Sequence, residues 1–173
     1  SEKLIVNARL ATRRILNSGF DTNAAYQEFD TSKLFVTWHQ YLIKLLPPEN
    51  QERFTADRRI DFSKFRNALE NKKSPLGRFQ GSTGRVSPET IWFVIRSLIK
   101  GTESLGDLLP EDYESEIPEQ DRIVSSEDYK EIYENYYNWY KKALITYELW
   151  DDLDLVKQVL TLPTLTQSPD RTI

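Results

Sequence analysis

The chain has 173 residues, 39% of them apolar, which suffices for one real core, and four Trp, nine Tyr and eight Phe supply large contact area per residue. The absence of Cys and the single His exclude disulfides, thiol catalysis and the usual zinc ligand sets. A net charge of −4 argues weakly against a general nucleic-acid binder, so any such contact must come from an uneven distribution of charge.

In chain order, residues 2–17 read as a helix. Leu4, Ile5, Ala8, Ala11, Ile15 and Leu16 lie on one side, and Asn17-Ser-Gly19 is the stop. Residues 1–29 are thus expected to be a helical lead-in. Leu34-Phe-Val36 suits an extended piece or a helix opening. Residues 37–46 then place Trp38, Tyr41, Leu42, Leu45 and Leu46 at helical spacing until Pro47-Pro48 ends the run. His39 lies off that stripe and reads as a surface or rim histidine, because the sequence nominates no partner for it.

Residues 53–60 are polar and read as a loop. Asp61 is a candidate N-cap for a helix reaching Asn71, with Phe62, Phe65, Ala68 and Leu69 inward. Residues 72–85, with Pro75, Gly77, Gly81 and Gly84, read as a basic loop, either solvated or touching a nucleic-acid backbone. Its segment Gly-Arg-Phe-Gln-Gly-Ser-Thr-Gly lacks the Gly-Lys-Ser/Thr ending and the preceding strand of a phosphate loop.

The clearest element spans residues 86–101. Ser87 is an N-cap residue, Pro88 suits the first helical position, and Ile91, Ile95, Leu98 and Ile99 recur with Trp92 beside them until Gly101. Arg96 and Lys100 fall among these apolar residues, so one or both should reach solvent, a carboxylate or a ligand; a snorkelling Arg is the plain expectation. A brief helix is expected over 109–113, starting at Pro110, and an exposed acidic stretch over 114–126.

Ser125 or Ser126 caps a long helix carrying Tyr129, Ile132, Tyr133, Tyr136, Tyr137, Tyr140, Leu144 and Ile145. Trp139 falls past the edge of that stripe. Packed core is preferred here over a platform for stacking bases. Residues 150–160 form a last helix, where Asp151 and Asp152 suit the N-terminus without any metal. Residues 161–173 read as a flexible tail. The fold class expected is all-α, an irregular bundle of about five to seven helices.

Charge divides the chain. Residues 53–100 carry a balance of +7, and residues 107–134 carry −9. The candidates for phosphate contact are Arg58, Arg59, Lys64, Arg66, Lys72, Lys73, Arg78 and Arg85, placed to meet backbone rather than read bases. The acidic stretch would face solvent, the other half of the chain or a basic partner. No signal-peptide pattern or membrane-length apolar run is present, so a reducing intracellular compartment is expected, nucleus or cytoplasm left open. The lack of Met, even at position 1, and the Thr-Pro-Ser tail lead us to expect a domain excised from a larger protein.

Several segments resemble a known family. The Tyr-rich run 133–142 followed by Leu149-Trp-Asp-Asp-Leu153 is similar to the segment of UvrD/Rep-type superfamily 1 helicases that returns from an inserted helical subdomain to the first motor domain, with Trp150 where that family usually has Phe. Leu34-Phe-Val-Thr-Trp-His-Gln-Tyr-Leu42, Arg59-Ile-Asp-Phe-Ser-Lys-Phe65 and Ile91-Trp-Phe-Val-Ile-Arg-Ser-Leu-Ile-Lys-Gly101 resemble one branch more closely. That branch is the helicase-like region of large tetratricopeptide and ankyrin repeat-containing proteins and their fungal relatives.

The resemblance covers about residues 30–160 and implies a helical accessory insertion, subdomain 1B-like, lying beside single-stranded or forked nucleic acid and against motor domains of the same polypeptide. It further implies that ATP and magnesium serve a parent helicase-like hydrolase. The Gly-Lys-Thr loop and Asp-Glu pair that would hold them are missing here, so no cofactor and no catalysis are expected of the fragment. The alternative is a non-catalytic scaffolding domain whose acidic 107–134 stretch meets a protein partner. An unrelated enzyme would need a nucleophile, base or metal cluster that the sequence does not display.

Overall fold

A computed structural model describes residues 33–101 and 106–162. The expected lead-in over 1–29 and nearly all of the 161–173 tail lie outside them. The fold is all-α, with seven helices and no strand among the described residues, only a single bridge between Arg59 and Trp150. It divides into two compact units. One is built from the chain up to Asp61 and from Leu149 onward, and the other is Phe62–Glu148. The sequence range 30–160 therefore encloses the whole of the second unit and parts of the first.

The first unit contains α1 (Lys33–Leu45), α2 (Pro48–Gln51) and α7 (Asp152–Leu160). Pro47 and Pro48 end α1 as expected, but Pro48 then opens α2, because a proline at the first helical position loses no hydrogen bond. Leu46, Phe54, Trp150, Leu155 and Val159 form the core, joined by Leu42, Ile43 and Leu162. Tyr41 and Leu45, expected on the same inward stripe as Leu42, are exposed.

Trp150 anchors this core. It is 1% exposed, its indole N–H donates to Thr55 O at 2.8 Å, and Phe54 meets it edge-on at 5.3 Å. Beside it, Ile60 N–H donates to Trp150 O and Trp150 N–H to Arg58 O, at 2.7 and 3.1 Å. The chain leaving this unit and the chain returning to it therefore run side by side.

The second unit contains α3 (Phe62–Leu69), α4 (Pro88–Phe93, continued as a π-helical turn Val94–Ile99), α5 (Tyr113–Glu116) and α6. The last runs from Ser126–Glu131 through a π-helical turn Ile132–Tyr137 into Asn138–Thr146. The start signals behave as read: Ser87 Oγ accepts from Thr90 N–H, and Ser125 caps α6 by accepting from Asp128 N–H. Helix α3 ends through Asn71, at φ 65°, where Lys72 N–H turns back to Asn67 O.

The π turns were not legible in the sequence. Lys100 N–H donates to Ile95 O, five residues back, and the widened turn of α4 packs on that of α6. An extra residue in the turn makes the apolar stripe drift around the helix. Residues 91–100 are consequently buried without exception, Arg96 and Lys100 included. Their cations lie over aromatic rings, Arg96 over Trp92 at 5.1 Å and Lys100 over Tyr140 at 5.7 Å, so neither snorkels to water. Gly101 follows because a Cβ there would come 2.6 Å from Arg96 O.

Phe65, Trp92 and Tyr140, all fully buried, pack as a triangle with ring centroids 4.9 to 5.8 Å apart. A second aromatic pair, Tyr113 and Tyr129, stacks at 4.1 Å, and the two hydroxyls donate to Val124 O and Leu108 O. Burial pushes the Tyr129 phenol far above its ordinary range, which keeps it a neutral donor.

Candidate functional site

The eight cations proposed for phosphate contact are divided between the two units. Arg58 and Arg59 belong to the first unit and the other six to the second. Arg59 is held by Asp152, with Nε 2.9 Å from Oδ1 and an Nη 3.4 Å from Oδ2. In the second unit Glu70 lies 3.1 Å from Lys72 and 4.0 Å from Arg66, whose guanidinium also lies over Phe62. Arg85 donates to Asp128 at 2.9 Å, and that carboxylate raises the Arg85 pKa. Arg58 and Lys64 are half-buried, while Lys73 and Arg78 are exposed.

His39 is the clearest departure from the sequence reading. It is buried, with Nε2 2.5 Å from Asp152 Oδ1 and its ring edge-on to Trp38 and Trp150. Asp152 thus joins His39 and Arg59 inside the first unit. Asp151 does the capping, accepting from Leu153 and Asp154 N–H while Asp154 accepts from Asp151 N–H, a closed capping box. Both carboxylates are committed to the protein, and no group of three or more His, Cys, Asp or Glu among the described residues could hold a metal.

The loop over 72–85 is built onto the second unit. Ser74 Oγ donates to Lys64 O and accepts from Leu76 N–H, Phe79 N–H donates to Ala68 O, and Gly84 N–H donates to the Tyr136 hydroxyl. Phe79 stacks on Tyr136 at 4.7 Å and meets Trp139 edge-on. Gly77, at φ 77°, takes a left-handed turn beside Tyr147, and at Gly81 a Cβ would clash with the Phe79 ring. Its glycines therefore serve packing, and the loop is not a bare solvated linker.

Between this loop and α6 runs a groove of about 560 Å³. Arg78, Gln80 and Gly81 line one side. Asn135, Asn138, Trp139 and Lys142, one face of α6 at helical spacing, line the other, and Tyr147, 54% exposed, also lines it. Glu134 is its one acid. Of the eight cations proposed for phosphate contact, Arg78 alone lines it. Trp139 was placed off the core stripe without a role, and Lys142 and Tyr147 were missed, although a Lys three residues after that Trp was a usable signal.

A second hollow, of about 580 Å³, is lined by Leu109, Pro110, Tyr133 and Lys130 with Glu111, Glu127 and Glu134. Comparison with protein-family models, curated proteins and solved structures finds no match to the chain. Among the described residues no helix is long and apolar enough to cross a membrane.

Proposed function

We propose that the chain is an accessory helical insertion of a UvrD/Rep-like, ATP-dependent helicase-type protein, contacting nucleic-acid backbone and leaving nucleotide hydrolysis to motor domains elsewhere in the same polypeptide. The observation that carries this reading is the chain path. A helical body, Phe62–Glu148, interrupts the first unit, and the chain re-enters that unit beside its point of exit, at the very Leu149-Trp-Asp-Asp-Leu segment that resembles the helicase return. Arg78, Lys73 and Lys142 supply exposed positive charge on the second unit.

Labelled single-stranded and forked DNA, titrated at low and at physiological salt, test it. Binding should weaken steeply with salt, and Lys72→Glu with Lys73→Glu should flatten that slope by about one to two. No salt-sensitive binding at either ionic strength removes the nucleic-acid role.

A second reading has its own observation. The hollow beside Tyr133, apolar within and ringed by three glutamates, suits a basic, partly apolar protein segment, as a scaffolding domain acting through residues 107–134 would require.

A further inference from the structure

The groove between the 72–85 loop and α6 brings exposed cations and aromatic surface together. It is lined by an exposed Tyr147, a half-buried Trp139, and one cation on each side, Arg78 and Lys142. An apolar peptide would leave both cations without partners, whereas a phosphodiester strand supplies an anion at each step and a base face between them.

We infer that this groove is a binding site for a short single-stranded nucleic-acid segment, with phosphates on Arg78 and Lys142 and a base stacked against Tyr147 or Trp139. This rests on the nucleic-acid reading above and adds to it the place and the chemistry of the contact.

Three features support the assignment. Tyr147 is 54% exposed although aromatic, and it stands over Gly77, where a Cβ would touch its hydroxyl at 3.6 Å. More than half of that residue's surface is thus open to solvent beside the groove. The loop side is fixed by Phe79 against Tyr136 and by Gly84 on the Tyr136 hydroxyl, so Arg78 is presented by an anchored backbone, which lowers the ordering cost of binding. Asn135 and Asn138 place side-chain amides on the α6 wall within the same groove, donors and acceptors suited to base edges or sugar hydroxyls. Glu134, the one acid of the lining, disfavours phosphate beside it.

Fluorescence anisotropy of the full chain with a labelled oligothymidine of about ten nucleotides, and with an abasic strand of equal length, tests this. Tyr147→Ala and Arg78→Glu alter exposed residues, so folding is expected to survive, as the unfolding midpoint would show. Each should weaken oligothymidine binding by roughly tenfold, and the abasic strand should bind the unchanged protein roughly tenfold more weakly than oligothymidine. Binding that is intact in both variants overturns the groove while leaving the broader nucleic-acid role standing. Equal affinity for the abasic strand overturns the stacking. No binding of either strand removes both the site and the reading on which it rests, and capture of an acidic, proline-containing peptide in place of DNA reassigns the groove to a protein ligand.

Discussion

Asp152→Ala should destabilise the first unit by about 3–5 kcal/mol, because it leaves the His39 ring and the Arg59 guanidinium facing a site that no longer holds a carboxylate. The residue is 3% exposed, so water does not replace the lost partner without opening the packing around Trp150. Asp151→Ala is the natural comparison. It removes an N-cap, and the expected loss is about 1 kcal/mol. Urea unfolding of the two variants, read by circular dichroism, should therefore rank position 152 far above position 151. A loss below about 1 kcal/mol at Asp152 would show that the pair contributes no more than a surface salt bridge does.

The contrast between these neighbours shows what the sequence could carry. Asp151 acts on atoms two and three residues ahead of it, and Ser87 and Ser125 likewise act within one turn, so their roles follow from local pattern. Asp152 meets His39 across 113 residues of chain, and no periodicity records that meeting. The 72–85 loop failed to read as ordered for the same reason. Its glycines are a local signal for a turn, but what fixes the loop is Phe79 against Tyr136 and a hydrogen bond spanning 52 residues. The basic residues were visible as charge; their neutralisation by Glu70, Asp128 and Asp152 is a property of the fold.

Trp92→Ala should cost the second unit about 3–5 kcal/mol. The ring is fully buried, contacts Phe65 and Tyr140, and underlies the Arg96 guanidinium, so truncation opens a cavity and strips a buried cation of its aromatic support. Among the described residues its indole N–H has no hydrogen-bond partner, nor has the neighbouring buried hydroxyl of Ser97. Burying an amine-like donor unpaired costs about 1–3 kcal/mol. Trp92→Phe removes that donor and keeps an aromatic face, so its loss should be well below that of Trp92→Ala and close to neutral. Equal losses in the two variants would mean that the N–H is satisfied in solution and the indole is required as a whole.

We propose that an inserted helical body, carried between Asp61 and Leu149, presents nucleic acid with a groove at its 72–85 loop. Hydrogen exchange of the full chain, measured with and without oligothymidine at low salt, addresses it most directly. Slowed exchange should be concentrated in residues 76–81 and 138–147. Protection confined to the acidic residues 107–134, or exchange unchanged along the whole chain at saturating strand, would contradict it.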